Sequence, residues 1–368
     1  MVDLPAGPNG KRRQVRGSGS RTIKEARQKR DELRASVADD TFVNPSKLAT
    51  GAWLTRWLEG RKASVAPRTH ERYCGLIATH VAPAIGHIPL QKLSANDLDR
   101  TYAALLTDGH QRSSGGLSPR TVRFTHTIIK KALSDAQRKG LVNRNVAALA
   151  DPPAHSACRT PEMAVWSPTE LGSFLIATAD HEHGVLFRTA AMTGLRRGEL
   201  GGLRWRDVDL ETGLLTVRRA LVKVSGEWTF AEPKTAAGRR TIDLDPVTVA
   251  TLRRHRQVIL ERRLALGPGW QDQDLVFPAV AGGPADIDGW GKSFRRAVRD
   301  TGLAPVRFHD LRHTHATHLL ATTDVRTVAS RLGHADPGMT LRVYAHVMPG
   351  RQASAATAVA ALVDQAQR

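Results

Sequence analysis

Residues 206–244 read RDVDLETGLLTVRRALVKVSGEWTFAEPKTAAGRRTIDL, a run of β-branched and polar residues in alternation. Three turn signals interrupt it: Glu211-Thr212-Gly213, Ser225-Gly226 and Ala236-Ala237-Gly238. Alternation with period two between glycine-bearing turns predicts a three- or four-stranded antiparallel sheet. On both sides the apolar spacing is helical, so the fold class is mainly α with a small antiparallel β-sheet (α+β).

Upstream of the sheet, Ser167-Pro168-Thr169-Glu170 is a capping box with proline at the first helical position, which opens a new domain. The stretch before it, DPPAHSACRTPEMAVWSP, has prolines, small residues and no periodicity, and reads as a linker. Further back, AWLTRWLEGRK, RTHERYCGLIATHV, SANDLDRTYAALLTDG and SPRTVRFTHTIIKKALSDAQRKGLV have helical periodicity, with Ser94 and Ser118 as N-caps. The chain begins with a hairpin pattern, VDL and KRRQVRG around PAGPNG, followed by a basic helix. The expected organisation is therefore a basic segment over 1–45, a helical domain over 46–152, a linker over 153–167, a second domain over 168–350 and an Ala-rich helix over 351–368. The small apolar stripe of that last helix must pack on its own domain or on a neighbour.

The 54 Lys and Arg residues outnumber 35 Asp and Glu, for a formal charge of +19, which favours a polyanionic partner, nucleic acid first. Lys11, Arg12 and Arg13 concentrate that charge near the start, and Arg120, Arg123, Lys130 and Lys131 place it on the last helix of the 46–152 domain. These are the candidate DNA-binding residues. No apolar run reaches the roughly 20 residues of a membrane span and no hydrophobic signal core opens the chain, so a soluble cytoplasmic protein with no membrane partner is expected. Cys74 and Cys158 are far apart with no CxxC partner, which supports neither a zinc ribbon nor a disulfide framework.

FHDLRHTHATHLL, residues 308–320, raises the question of a metal. On a helix, His309, Arg312 and His313 fall within roughly 100° of one another, whereas His315 and His318 point to the far side. A guanidinium between two histidines repels a cation, and no HExxH pattern is present, so no metal site is expected. The same face suits an anion, because an arginine fork can give two hydrogen bonds to two phosphate oxygens. Arg196, in AAMTGLRRGELGGLRW with Glu199 three residues on, is a second candidate anion ligand held by a carboxylate. Lysine is scarce after residue 160, and Lys234 stands at the approach to a β-turn in PKTAAG, where an ammonium could protonate a leaving oxygen. Of Tyr73, Tyr102 and Tyr344, only the last lies in the second large domain, ten residues after His334. A phenol becomes a nucleophile where cations surround it or a base takes its proton.

In order and spacing, TGLRRGEL, PKTAAGRRTIDL, HDLRHTHATHLL and LGHADPGMTLRVYAHV closely resemble the tyrosine recombinases, phage-type and mobile-element integrases in particular. The resemblance implies that Arg196 and Arg312 clamp the scissile phosphate and that Lys234 acts on the 5′-oxygen leaving group. It implies His309 assisting proton transfer, His334 in the position the family fills with His or Trp, Tyr344 as nucleophile, Glu199 as the acid supporting the first arginine, and His313 buttressing the same face. It further implies a helical core-binding domain and a catalytic domain forming a C-shaped clamp on double-stranded DNA attachment sites. Four protomers on the synapse are implied, with an accessory DNA-bending protein or excisionase as a further partner, and no cofactor. The start is similar to an arm-site DNA-binding domain, normally three strands and a helix, in which MVDL leaves little length for a first strand. A type IB topoisomerase-like activity and a non-catalytic DNA-binding relic are the alternative readings.

Overall fold

A computed structural model describes residues 2–4, 13–15, 22–38, 42–109, 115–158, 163–233, 235–344, 360 and 363–364. Lys11, Arg12, Lys234 and most of the 351–368 helix lie outside the described residues, and Arg13 and Tyr344 are described by their backbone alone. The chain divides into two compact units, Met1–Thr160 and Pro161–Arg368.

In the first unit, β1 (Val2–Leu4) pairs antiparallel with β2 (Arg13–Val15), the hairpin expected from the turn-rich run between them. Helices α1 (Ile23–Ala38), α2 (Thr50–Arg61), α3 (Pro67–Leu76), α4 (Ala82–Ile85), α5 (Ala95–Asp108) and α6 (Pro119–Arg138) follow. A π-helical turn, Ile77–Val81, joins α3 to α4, just before Pro83, which has no N–H to give the ladder. Ser94 and Asp97 close a capping box at α5, and Ser118 accepts the Thr121 N–H at α6. The core comes from Trp53, Leu54, Trp57 and Leu58 of α2 against Leu98, Tyr102, Ile128, Ile129 and Leu133. Tyr73 packs between Trp57 and Phe124, a structural place rather than a chemical one.

The second unit contains α7 (Pro168–Ala177), α8 (Gly184–Thr193), α9 (Arg197–Gly202), strands β3 (Val208–Asp209), β4 (Leu214–Val217), β5 (Ala220–Val224), β6 (Glu227–Ala231) and β7 (Arg240–Asp243), then α10 (Pro246–Leu266), α11 (Ile287–Thr301), α12 (Asp310–Thr322), α13 (Val325–Leu332) and α14 (Pro337–Tyr344). The capping box at Ser167 and Glu170 forms as expected. Trp166, in the stretch read as linker, is fully buried: its ring packs on Phe174 and Phe294, and its indole N–H donates to the Ala304 carbonyl at 2.9 Å. One large aromatic carries this segment into the core although its neighbours in sequence have no periodicity.

The single sheet expected over 206–244 is instead two. Strands β3, β4 and β7 form one antiparallel sheet, with Leu215 opposite Ile242 and Val217 opposite Arg240. Strands β5 and β6 form a separate hairpin around Ser225-Gly226, both at positive φ, the conformation of a two-residue hairpin turn. The hairpin leaves the sheet because β5 lies against α9, where glycines admit it. A Cβ at Gly198 would come within 2.8 Å of the Leu221 carbonyl oxygen, and one at Gly202 within 2.9 Å of the Ala220 Cα. Arg219 secures the departure by donating to the Gly202 carbonyl at 2.8 Å while its guanidinium stacks over Phe230.

Candidate active site

The site is assembled in the second unit from the ends of short elements. Helix α8 ends at Gly194, whose φ of +64° is the left-handed conformation a glycine adopts without cost. Its carbonyl accepts a hydrogen bond from Arg312 Nη1 at 2.7 Å. Arg196 then stands at the N-cap of α9: its backbone N–H donates to Glu199 Oε2 and its Nη1 to Glu199 Oε1, each at 2.9 Å. The Arg196 side chain is 41% exposed and Glu199 only 7%, so a buried carboxylate fixes the base of a cation that reaches solvent.

Glu199 has a second cationic partner. Arg240, at an inward position of β7 and 5% exposed, donates to both carboxylate oxygens, Nη1 at 3.2 Å and Nη2 at 2.9 Å. Burial by itself favours the neutral acid, but the hydrogen bonds and charge of Arg240, followed by those of Arg196, outweigh it and hold the carboxyl below the usual glutamate range. Arg240 was not singled out from sequence, although strand alternation places it on the same face as buried Ile242, where an arginine requires a partner.

At the start of α12, Asp310 is buried and accepts the Arg307 backbone N–H at 2.8 Å together with both arms of its guanidinium. This fixes the approach to His309, which directly precedes the helix. Arg312, 4% exposed, donates Nη1 to Gly194 O and Nη2 to Leu332 O, both at 2.7 Å, and Nη2 also lies 3.0 Å from His334 Nε2. A guanidinium can only donate, so His334 Nε2 accepts and its proton resides on Nδ1, which donates to Thr340 Oγ1 at 2.8 Å. Thr340 is fully buried on α14, the helix that Tyr344 closes four residues later.

Three histidines here are held neutral. Partial desolvation, then competition with neighbouring His313 for a proton and the Arg312 charge, push His309 down to about 4. Desolvation and the charges of Arg312, Arg196 and Arg240 push His334 to about 4. Burial also lowers His313, whose ring meets that of His309 edge-on at 5.2 Å. Arg196 and Arg312 therefore act on the same two imidazoles, although they are far apart in sequence. His315 and His318 point elsewhere, as the helical spacing requires. His315 Nε2 accepts from Arg331 at 3.1 Å and is pushed to about 3, mainly by burial, and His318 Nε2 is buried with no hydrogen-bond partner.

Six expected site residues are thus brought together: Arg196, Glu199, His309, Arg312, His313 and His334. The turn Ala236–Gly238 that follows Lys234 abuts Gly333, where an added Cβ would come within 2.8 Å of both the Ala237 carbonyl oxygen and Arg240 Nη1. Among the described residues, no group of three or more His, Cys, Asp or Glu side chains could hold a metal ion. No helix of the described residues is long and apolar enough to cross a membrane.

In the first unit, α6 buries Val122, Thr125, Ile128, Ile129, Ala132, Leu133 and Ala136 on one side. Arg120, Lys130 and Lys131 are exposed on the other, within an arc of roughly 100° at helical spacing. Arg123 shares that arc but is half-buried and donates to the Pro153 carbonyl at 2.5 Å. A one-sided row of cations on a packed helix can follow a phosphate backbone.

Both units of the chain resemble known proteins. Residues 171–351 match the model of the Phage integrase family, and residues 51–106 that of a Phage integrase, N-terminal SAM-like domain. A tyrosine recombinase XerC-like protein of Caldanaerobacter subterraneus is 26% identical over 353 residues, covering 91% of this chain and 88% of its own. Among solved structures, the Tn1549 transposon integrase in complex with a circular intermediate DNA superposes with a TM-score of 0.68 at 21% identity, covering 84% of this chain and 99% of that one. A lambda integrase tetramer bound to a Holliday junction superposes at 0.56 with 16% identity, covering 90% and 92%.

Proposed function

This chain belongs to the phage integrase family of tyrosine recombinases, site-specific recombinases that cut and rejoin DNA strands, and we propose how its own residues perform that reaction. Arg196 and Arg312 clamp the non-bridging oxygens of the scissile phosphate. The observation that carries this reading is the anchoring of both guanidiniums: Arg196 by buried Glu199, and Arg312 by two main-chain carbonyls beside His334. Donors fixed before the substrate arrives stabilise the charge of a pentacoordinate phosphorus without reorganisation.

Tyr344 attacks the phosphorus in line. The phenol oxygen forms the new ester, the bond from phosphorus to the 5′-oxygen breaks, and the DNA 3′-end remains on the enzyme as a phosphotyrosine. His309, held neutral by its protein surroundings, accepts the phenol proton, and the charge of the bound phosphate raises its basicity for that step. Lys234 supplies a proton to the departing 5′-oxygen. His334 supports the clamp from the Arg312 side, and His313 braces His309. A 5′-hydroxyl from the partner duplex then reverses the sequence, so one phosphodiester replaces another and no ATP is consumed.

The first unit binds the attachment-site duplex, with Arg120, Arg123, Lys130 and Lys131 on phosphates and Lys11, Arg12 and Arg13 adding basic charge at the start. Each unit contributes its own contacts to the DNA, with the expected boundaries 46–152 and 168–350. Four copies act on two duplexes in the cytoplasm, for which the lambda integrase tetramer is the precedent, and the 351–368 segment makes a contact between copies. An accessory DNA-bending protein or excisionase sets direction.

The test is covalent trapping on a duplex bearing the attachment site, to be found by sequencing the flanks of the encoding gene for a short direct repeat, and nicked near the cleavage position so that the cut strand is lost. Wild-type protein is expected to form an adduct resistant to denaturation, and Tyr344→Phe none. An equal yield from the two proteins overturns the reading.

A further inference from the structure

The clamp proposed above uses Arg196 and Arg312, yet a third guanidinium of the second unit, that of Arg240, is also held on several sides. Arg240 Nη1 donates to Glu199 Oε1 at 3.2 Å and to the Gly238 carbonyl at 3.3 Å, Nη2 donates to Glu199 Oε2 at 2.9 Å, and Nε donates to the Arg331 carbonyl at 2.6 Å. Four of the five guanidinium N–H groups are accounted for by three separate segments. Those segments are the start of α9, which holds Arg196; the turn that follows Lys234; and the end of α13, directly before His334.

We propose, resting on that reading of the site, that Arg240 is a positioning residue for strand cleavage: it touches no reacting atom and sets the relative placement of the Arg196 segment, the Ala236–Gly238 turn and the His334 segment. Two further observations support this. Arg240 and Arg312 hold consecutive carbonyls, those of Arg331 and Leu332, so the end of α13 is gripped by a strand and by α12 at once. Gly333, at φ +68°, leaves room for the Arg240 guanidinium, which a Cβ would approach within 2.8 Å. A lysine at 240 would retain the charge but lack the planar fork that reaches both carboxylate oxygens and a carbonyl in another direction.

The experiment uses the full chain and the nicked duplex described above, with single-turnover cleavage at saturating protein, well below each variant's melting temperature. Arg240→Met keeps the side-chain volume, Arg240→Lys keeps the charge, and each is combined with Glu199→Gln. Arg240→Met is expected to slow cleavage by about 10²-fold while duplex binding stays within roughly 3-fold, since the lost geometry acts in the transition state. Arg240→Lys recovers only part of that loss. Arg240→Met combined with Glu199→Gln is expected within about 3-fold of the slower single variant, because residues acting as one unit are not additive.

A folded Arg240→Met that cleaves like wild type overturns the proposal, as do losses that multiply in the double variant. If neither Arg240 variant folds, the residue is structural and the proposal fails. Wild-type protein that forms no adduct sinks the reading of the site itself, a result distinguishable from wild-type cleavage with indifferent Arg240 variants.

Discussion

Glu199→Gln is the substitution whose consequence can be worked most closely from the structure. The carboxylate accepts four hydrogen bonds: from the Arg196 backbone N–H, Arg196 Nη1, Arg240 Nη1 and Arg240 Nη2. The amide replaces one oxygen with a donor, which then faces two donors whichever way it is turned. Two charge-assisted bonds are lost, each worth about 1.5–3 kcal/mol, and two arginines lose their buried counter-charge. The expected destabilisation is about 3–5 kcal/mol, the range for breaking a buried ion pair. For a unit of this size that lowers the melting temperature by roughly 10 °C. The pH dependence distinguishes this cause from generic damage. The folded pKa of Glu199 is depressed, so its contribution is complete above the ordinary glutamate pKa of 4.5 and is lost as pH falls through the folded value. Urea unfolding of the two proteins should show the full gap at pH 7 and a shrinking gap below pH 4.5. A gap under about 1 kcal/mol at neutral pH, or one unchanged at low pH, refutes the reasoning.

Arg312→Lys gives up the planar grip on Gly194 O and Leu332 O, and is expected to lose about 2–3 kcal/mol of stability and about 10²-fold in adduct formation; a variant that melts and cleaves like wild type would place the clamp elsewhere. Gly333→Ala forces a side chain into the left-handed region at about 1–2 kcal/mol and presses on Arg240, so thermal melting should drop by several degrees and cleavage should slow; no change in either means that the close approach relaxes cheaply. His309 and His334 at about 4 and His315 at about 3 remain neutral in the fold while the unfolded chain protonates near 6.5, so stability is full above that pH and falls toward pH 4. His315, the most desolvated of the three, adds a slope of up to about 1.4 kcal/mol per pH unit, while solvent-exposed His309 and half-buried His334 add less, and unfolding curves at pH 7, 6 and 5 that coincide would contradict the depressed values.

What was legible in the sequence, and what was not, follows from the range of the interactions. Arg196 and Glu199 are three residues apart at a helix start, and the facing set of His309, Arg312 and His313 follows from helical spacing, so local periodicity exposes both. The outward direction of His315 and His318 is legible for the same reason. Arg240 was missed because its partners, Glu199 and the Arg331 carbonyl, lie far from it in the chain, and only the strand register brings them together. The split of the sheet was missed because alternation reports strands but not their pairing. What decides the pairing is the close approach of β5 to the glycines of α9. Trp166 shows a further limit, since burial of a single large ring overrides the composition of the residues around it.

The central claim is that Tyr344 becomes covalently joined to a DNA 3′-end, and mass spectrometry of the trapped adduct tests it most directly. Trypsin should release Val343–Arg351 carrying the nucleotide remnant on Tyr344, while the other DNA strand end carries a free 5′-hydroxyl that a kinase can label. A remnant on Tyr73, Tyr102 or a serine, or a link to the 5′-end, would contradict the account.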